Sequence, residues 1–356
     1  MDEKNKITFS IVIPMYNEEK TISGAIKSIS AQNFADFEVL LLDDGSTDST
    51  VEVCRRSVKN DSRFTLIPAK HRGRPSILRN LGLKKAANKY VVFMDADDTL
   101  TNDALEKLAQ AIERGGEPDL LATRFKSGYE KNGELILTDE KCNMNETDGI
   151  ISGSELLAKI TLERRQLACN NCIGVYKRTF MLDHQLWQNE TLSLYEDNEW
   201  MPRVVFHAET VAACDYAYYN YIRSGGSITT SLTLDSLKSV AAAAALMTNF
   251  FAQNKAMMPS AVRSFWGTHT FNALFWYFFN PLYTQKFTRR QWLEAWNSTS
   301  PVVDDELRPV MAEMLPYISR AKRLAWPLLG LISDSGLIFP AKLYFRILYL
   351  ARRVTR

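Results

Sequence analysis

Three carboxylates crowd four positions at the end of one apolar run. In YVVFMDADDTL, Tyr90 to Leu100, the strand-like YVVFM leads straight into Asp95, Asp97 and Asp98. Ionised carboxylates held this close repel one another, so a cation is needed to keep all three charged. Oxygen ligands favour Mg²⁺ or Mn²⁺ over zinc, and a small protein donor set leaves room for phosphate oxygens to complete the shell. The same residues also suit a helix start, with Asp97 or Asp98 as a cap, and the spacing alone leaves both readings open.

Other strand ends carry similar groups. FEVLLLDDGSTDST closes on Asp43 and Asp44, and SIVIPMYNE places Pro14, Tyr16 and Asn17 just beyond a first apolar run. An aromatic ring can stack on a nucleobase, while a carboxylate accepts from a base N–H or a ribose hydroxyl. DGSTD is also ordinary turn and cap chemistry, which accounts for Ser46 and Asp48 better than for Asp44. A basic stretch, HRGRPSILRN, follows the third run with His71, Arg72, Arg74 and Arg79. YEDNEW sets Glu196 and Asp197 at a helix start, where they could cap the helix or move a proton.

These residues need a scaffold that gathers strand ends. The first half alternates β-rich runs at 7–13, 37–43, 63–67, 90–95 and 119–125 with segments of helical periodicity, the pattern of a mostly parallel sheet flanked by helices. Such sheets bind ligands beyond the carboxyl ends of their strands. Asn132-Gly133 between two β-like runs predicts a hairpin. From 152 to 230 the pattern predicts a helix near 154–163, a strand at NCIGVYK, a helix from about Glu196 and a strand from Thr210 to Ile222. Beyond Ser231 the composition is helical, so we expect an α/β domain over 1–230, a helical subdomain over 231–319 and a separate tail over 320–356.

The 356 residues and 46% hydrophobic content suffice for two cores. A formal net charge of +2 gives no reason to expect a nucleic-acid partner. The Cys169/Cys172 pair lacks the companions of a zinc site and reads as reduced thiols. MDEKNKITFS lacks the apolar stretch of a signal peptide, and no apolar segment reaches the roughly 18 residues of a membrane span. A cytoplasmic protein is expected.

IVIPMYNEEKTI, FEVLLLDDGSTDST, GRPSILRNLGLKKA and YVVFMDADDTL, followed by NNCIGVYKRTFM and LWQNETLSLYEDNEW, occur in an order that resembles the family 2 inverting glycosyltransferases over roughly 7–230. The resemblance implies a GT-A nucleotide-sugar-binding fold. It implies that Pro14, Tyr16 and Asp44 hold the base, with Asp43 and Asn17 beside them. Asp95 and Asp97 match the family's Asp-x-Asp motif for ribose and metal-bound diphosphate, and Asp97 or Asp98 would ligate Mn²⁺ or Mg²⁺. Arg79, then Arg74 and Arg72, would face the phosphates. Asp197 would be the general base and Glu196 would orient the acceptor. Arg223, where many relatives carry a histidine, would reach the diphosphate from a loop with Gly225 and Gly226. A UDP-sugar donor and a cell-surface glycan or lipid-linked acceptor follow from the same resemblance, with a polyol-phosphate polymer as the alternative acceptor and a non-catalytic nucleotide-sugar-binding subunit as the alternative class.

The resemblance stops near 230. FWGTHTFNALFWYFF suits a packed helical core, a homo-oligomer contact or a groove for an apolar acceptor. The tail from Arg320 carries eight Lys or Arg against one acid, Asp334, among apolar and aromatic residues that include Trp326, Tyr344 and Tyr349. That composition suits a helix lying on an anionic membrane surface, here the inner face of the cell membrane, or docking onto another subunit.

Overall fold

The computed structural model describes residues 6–131, 134–141, 143–222 and 233–273, with isolated positions between 288 and 316. Arg223 with the rest of 223–232, Asn132 and Gly133, and 320–356 lie outside the described residues. By contacts the chain divides into two compact units: one of 1–160, 167–191 and 196–230, the other of 161–166, 192–195 and 231–356.

The first unit is built on one mixed sheet. Its strands are β1 (Phe9–Met15), β2 (Phe37–Asp43), β3 (Phe64–Pro68), β4 (Tyr90–Phe93), β5 (Thr99–Leu100), β6 (Leu120–Lys131), β7 (Glu134–Lys141), β8 (Gly174–Lys177) and β9 (Val211–Ile222). Among the described residues the order is β3-β2-β1-β4-β8-β6-β9-β5, with β7 paired to β6. The leading block β3-β2-β1-β4 is parallel. Strand β8 enters antiparallel to both β4 and β6, and β6 then pairs parallel with β9. Periodicity reports burial and says nothing of strand direction, so the mixed second half was not visible in the sequence.

Strands β1 and β4 are buried along their whole length, which is why they read as unbroken apolar runs. Helices α1 (Ile22–Ser30), α2 (Thr50–Ser57), α3 (Pro75–Lys85), α4 (Ala104–Arg114), α5 (Gly153–Leu162), α6 (Arg178–Asp183) and α7 (Glu196–His207) connect them. Helix α3 starts with Pro75 in its first turn, where a missing N–H costs nothing. It packs against β1 and β2, closely enough that a Cβ on Gly82 would lie 2.3 Å from Val12 Cγ1. The hairpin expected at 132–133 is supported by its flanks, since β6 and β7 pair antiparallel up to Lys131 and Glu134.

In the second unit, α8 (Leu234–Asn254) and α9 (Ser260–Ala273) pack on each other. Thr233 caps α8 by accepting from Ser236 N. Phe265, Trp266 and Phe271 of the aromatic stretch are buried, as a packed helical core requires, while 274–279 lie outside the described residues. No described helix is long and apolar enough to cross a membrane.

Candidate active site

Parallel β1, β2 and β4 end at one edge of the sheet, so the segments that leave them converge. Asp44 N donates to Met15 O at 2.9 Å, which ties the end of β2 to the end of β1. The Asp44 carboxylate, itself buried, accepts from Arg72 N at 3.0 Å and from Gly73 N at 2.7 Å, and His71 Nδ1 lies 3.0 Å from its Oδ2. Gly73 takes φ +64°, a conformation that favours glycine and lets the loop turn its N–H groups toward Asp44. Asp44 therefore organises the 71–73 loop.

That loop sets His71 against Tyr16, with ring centroids 4.2 Å apart and planes 27° from parallel. Tyr16 remains 40% exposed, so an aromatic platform stands at the end of β1 beside Pro14. Asn17, at φ +56°, accepts from Thr47 N at 2.8 Å. Asp43 accepts from Ser46 N at 3.1 Å. The structure thus places both of these in the turn chemistry of the DGSTD loop.

The acidic cluster after β4 is differentiated. Asp98 is fully buried and accepts from Tyr219 OH at 2.6 Å and Ile222 N at 2.7 Å. Burial, then the nearby charges of Asp95 and Asp97, push its carboxyl up to about 9. Tyr219 OH also accepts from Asp95 N at 3.0 Å, which makes it a strut for the cluster that the sequence reading missed. Asp95 itself is 43% exposed at its side chain and meets Arg79 Nη2 at 2.8 Å. Asp97 is half-buried between them in sequence.

Arg79 joins the two halves of the site. Its side chain is 6% exposed, with Nη2 on Asp95 and Nη1 3.2 Å from Glu196 Oε1. Burial opposes its charge, but Asp95 and Glu196 outweigh that and hold its pKa above the usual value. Its Nε is buried without a hydrogen-bond partner. Asp197 follows at the first turn of α7, accepting from Asn198 N and Nδ2 on Oδ1 at 2.7 and 2.8 Å. Burial, then Glu196, raise its carboxyl to about 7, against the opposing pull of Asn198 and Arg79. An acid poised there is half-ionised near neutrality, which suits proton transfer. Arg74, expected at the donor, donates through Nη1 to Glu190 O at 3.1 Å and Thr191 O at 2.6 Å.

Residues 10–168 match the family model described as Glycosyl transferase family 2. That segment, less than half of the chain, takes in β1 to β7 and is similar to the family 2 glycosyltransferases. Two relatives of the chain are the Escherichia coli protein named Uncharacterized glycosyltransferase YibD, 26% identical over 229 residues, 64% of each chain, and the Staphylococcus aureus Poly(ribitol-phosphate) beta-N-acetylglucosaminyltransferase TarS, 26% identical over 215 residues, 59% of this chain and 35% of that one. The chain spans less than two thirds of the length of the first curated relatives it matches. The crystal structure of S. aureus TarS 1-349 in complex with UDP shares the fold, with a TM-score of 0.65 at 20% identity, covering 96% of this chain and 91% of that one. The GT-A architecture, with helices at its C-terminal end, is thereby shown.

The matched segment contains Pro14, Tyr16, Asp43, Asp44, Arg79 and the acidic cluster, whereas Glu196 and Asp197 fall beyond it, Glu196 meeting the segment through Arg79. Among the described residues no group of three or more His, Cys, Asp or Glu side chains could hold a metal by itself. With Asp98 engaged by Tyr219 and Ile222, and Asp95 by Arg79, the donor set does not make a closed protein cage. It fits a cation of the Mg²⁺ type, which takes one or two carboxylates and completes its shell with substrate phosphates and water.

Proposed function

We propose that this chain is a metal-dependent inverting glycosyltransferase that moves a sugar from a UDP-sugar to a hydroxyl of a cell-surface glycan or lipid-linked acceptor. The observation that carries the proposal is the buried Arg79 bridge. It brings the acid cluster after β4, at 2.8 Å, together with the Glu196–Asp197 pair of α7, at 3.2 Å, so a nucleotide-sugar site and a proton acceptor share one centre.

In this reading Tyr16, backed by His71, carries the base, and Asp44 holds the loop that borders it. Asp95 faces the ribose, and Asp97 backed by the buried Asp98 would hold Mn²⁺ or Mg²⁺. The bound cation would supply Lewis-acid stabilisation of the diphosphate as it leaves. Asp197 takes the proton from the acceptor hydroxyl as that oxygen attacks the anomeric carbon opposite the leaving group, and a base placed this way contributes roughly 10²- to 10⁴-fold. Glu196, fixed by Arg79, holds the acceptor side of the site. Arg223 belongs to the same reading on sequence alone. So do attachment of 320–356 to an anionic membrane surface and self-association.

A second acceptor reading is favoured by the similarity to TarS over 215 residues: a polyol-phosphate polymer whose free hydroxyl receives the sugar. One experiment tests the core of both. A panel of nucleotide sugars is incubated with the full chain and Mn²⁺, and released nucleoside diphosphate is followed with and without EDTA and with either acceptor class. Release from a UDP-sugar that EDTA stops is expected. Absence of turnover with every donor and acceptor would instead favour a non-catalytic nucleotide-sugar-binding subunit.

A further inference from the structure

Between α6 and α7 the chain runs through Leu186 to Thr191 without regular structure, yet its backbone is heavily engaged. Leu186 O accepts from Trp200 Nε1 at 2.8 Å and Trp187 O from Arg203 Nη2 at 2.9 Å. Gln188 O accepts from Asn80 Nδ2 at 2.9 Å, and Glu190 O and Thr191 O accept from Arg74 Nη1 at 3.1 and 2.6 Å. Five of these six consecutive carbonyls are therefore taken by side chains of two elements: α7 holds the first two, while α3 and its capping residue hold the others. A loop with water available has no need of such partners.

Asn80 is the centre of the arrangement. Its Oδ1 accepts from Gln188 N at 2.9 Å while its Nδ2 serves Gln188 O, so the amide pairs with that residue's backbone as a neighbouring strand would. Nδ2 also lies 3.0 Å from Glu190 Oε1, and Gln188 Nε2 donates to Asn171 Oδ1 at 2.6 Å. Asn80 is 4% and Gln188 3% exposed. Asn80 directly follows Arg79 on α3, and the strap leads into α7, whose first turn carries Glu196 and Asp197. The residue before that turn, Tyr195, has φ +74°, a left-handed conformation that a bulky side chain keeps only when its surroundings hold it there.

We infer that Leu186–Thr191 is a positioning strap that registers the base-bearing helix α7 against α3, with Asn80 as its pin. The inference rests on the proposed roles of Asp197 and Arg79. Asn80 touches no reacting atom. It acts through the strap on where Asp197 stands, and a displacement of about 1 Å at a reacting group lowers rate on the order of 10²-fold. The nucleotide side, carried by Tyr16 and Asp44, does not depend on the strap.

The test compares the full-length protein with Asn80→Ala and with Asn80→Asp, which keeps the acceptor for Gln188 N and loses the donor. Measured together are kcat for transfer across pH, UDP affinity, and backbone hydrogen exchange. Both variants should lose on the order of 10- to 100-fold in kcat while UDP affinity stays within about twofold of the wild-type value, and the acid limb of the kcat profile should move. Loss of exchange protection should extend from Gln188 into Glu196 to Trp200. Should Asn80→Ala fail to fold, Asn80→Asp carries the comparison. The inference is overturned if kcat stays within about twofold, if UDP affinity falls in parallel with kcat, or if the exchange change stops at Thr191. A wild-type protein that turns over no donor would sink the proposed function, and the exchange measurement would still judge the strap on its own.

Discussion

Arg79 Nη2 lies 2.8 Å from Asp95 Oδ1, and this pair fastens α3 to the end of β4. Since the same guanidinium holds Glu196 at 3.2 Å, its removal leaves carboxylates without their counter-charge. Truncating one partner of a buried pair costs about 3–5 kcal/mol, and the lower end applies because Asp95 is 43% exposed at its side chain. Arg79→Ala should therefore lower the melting temperature by several degrees and abolish transfer. Arg79→Lys should recover part of the stability and little of the activity, because one ammonium does not reproduce a planar fork that reaches two acids. Thermal unfolding and a nucleotide-release assay check the two halves separately.

Asp197 provides a pH signature. Burial and the Glu196 charge raise its carboxyl from the ordinary 3.8 to about 7, so it holds a proton through the range between them and a base with a proton is inactive. The kcat for transfer should fall as pH drops through about 7. Stability should move the other way: because the folded state binds the extra proton, this residue stabilises the protein less as pH rises from about 4 to 7. Asp197→Asn should remove that trend, reduce transfer by roughly 10²- to 10⁴-fold, and leave UDP affinity nearly unchanged. A variant that retained normal turnover would exclude Asp197 as the base.

Tyr16 and His71 form a stacked pair at 4.2 Å, so one face of Tyr16 is already covered and a base would take the other. Stacking on an aromatic side chain contributes about 1–3 kcal/mol per base. Tyr16→Ala should then weaken UDP binding about 5- to 150-fold in calorimetry, and Tyr16→Phe should keep most of the affinity. Equal losses for both would point to the hydroxyl instead of the ring.

Much of the site was legible in sequence because carboxylates that end apolar runs stand out against a buried strand. Strand β2 matches the expected 37–43, with Asp43 at its end, and Asp95, Asp97 and Asp98 follow β4 while Glu196 and Asp197 open α7. What sequence hid were the partners. Asp97 and Asp98 look alike as neighbours, yet Asp98 is buried under Tyr219 from 121 positions away, a contact that only β9 pairing with β5 and β6 can create. Asn17, Asp43 and Arg74 carry groups suited to a ligand, and the fold turns them on nearby backbone. The strap left no trace in sequence because it is made to carbonyls, which every residue possesses.

Gly82 tests whether the seat of α3 controls the site. A Cβ there would lie 2.3 Å from Val12 Cγ1 and 3.0 Å from Cγ2, closer than carbon atoms approach, and Val12 is itself fully buried in β1. Gly82→Ala must push α3 off the sheet or force Val12 out of its rotamer, at a cost of about 1–3 kcal/mol. Because Arg79 and Asn80 lie on the same helix, transfer should fall further than the melting temperature alone explains. Adding Val12→Ala empties the space the new methyl needs, so the double variant should be more stable than the two separate losses predict, a coupling expected for residues in contact. Strict additivity in melting would mean that α3 relaxes by another route and that its close approach to β1 does not set the position of Arg79.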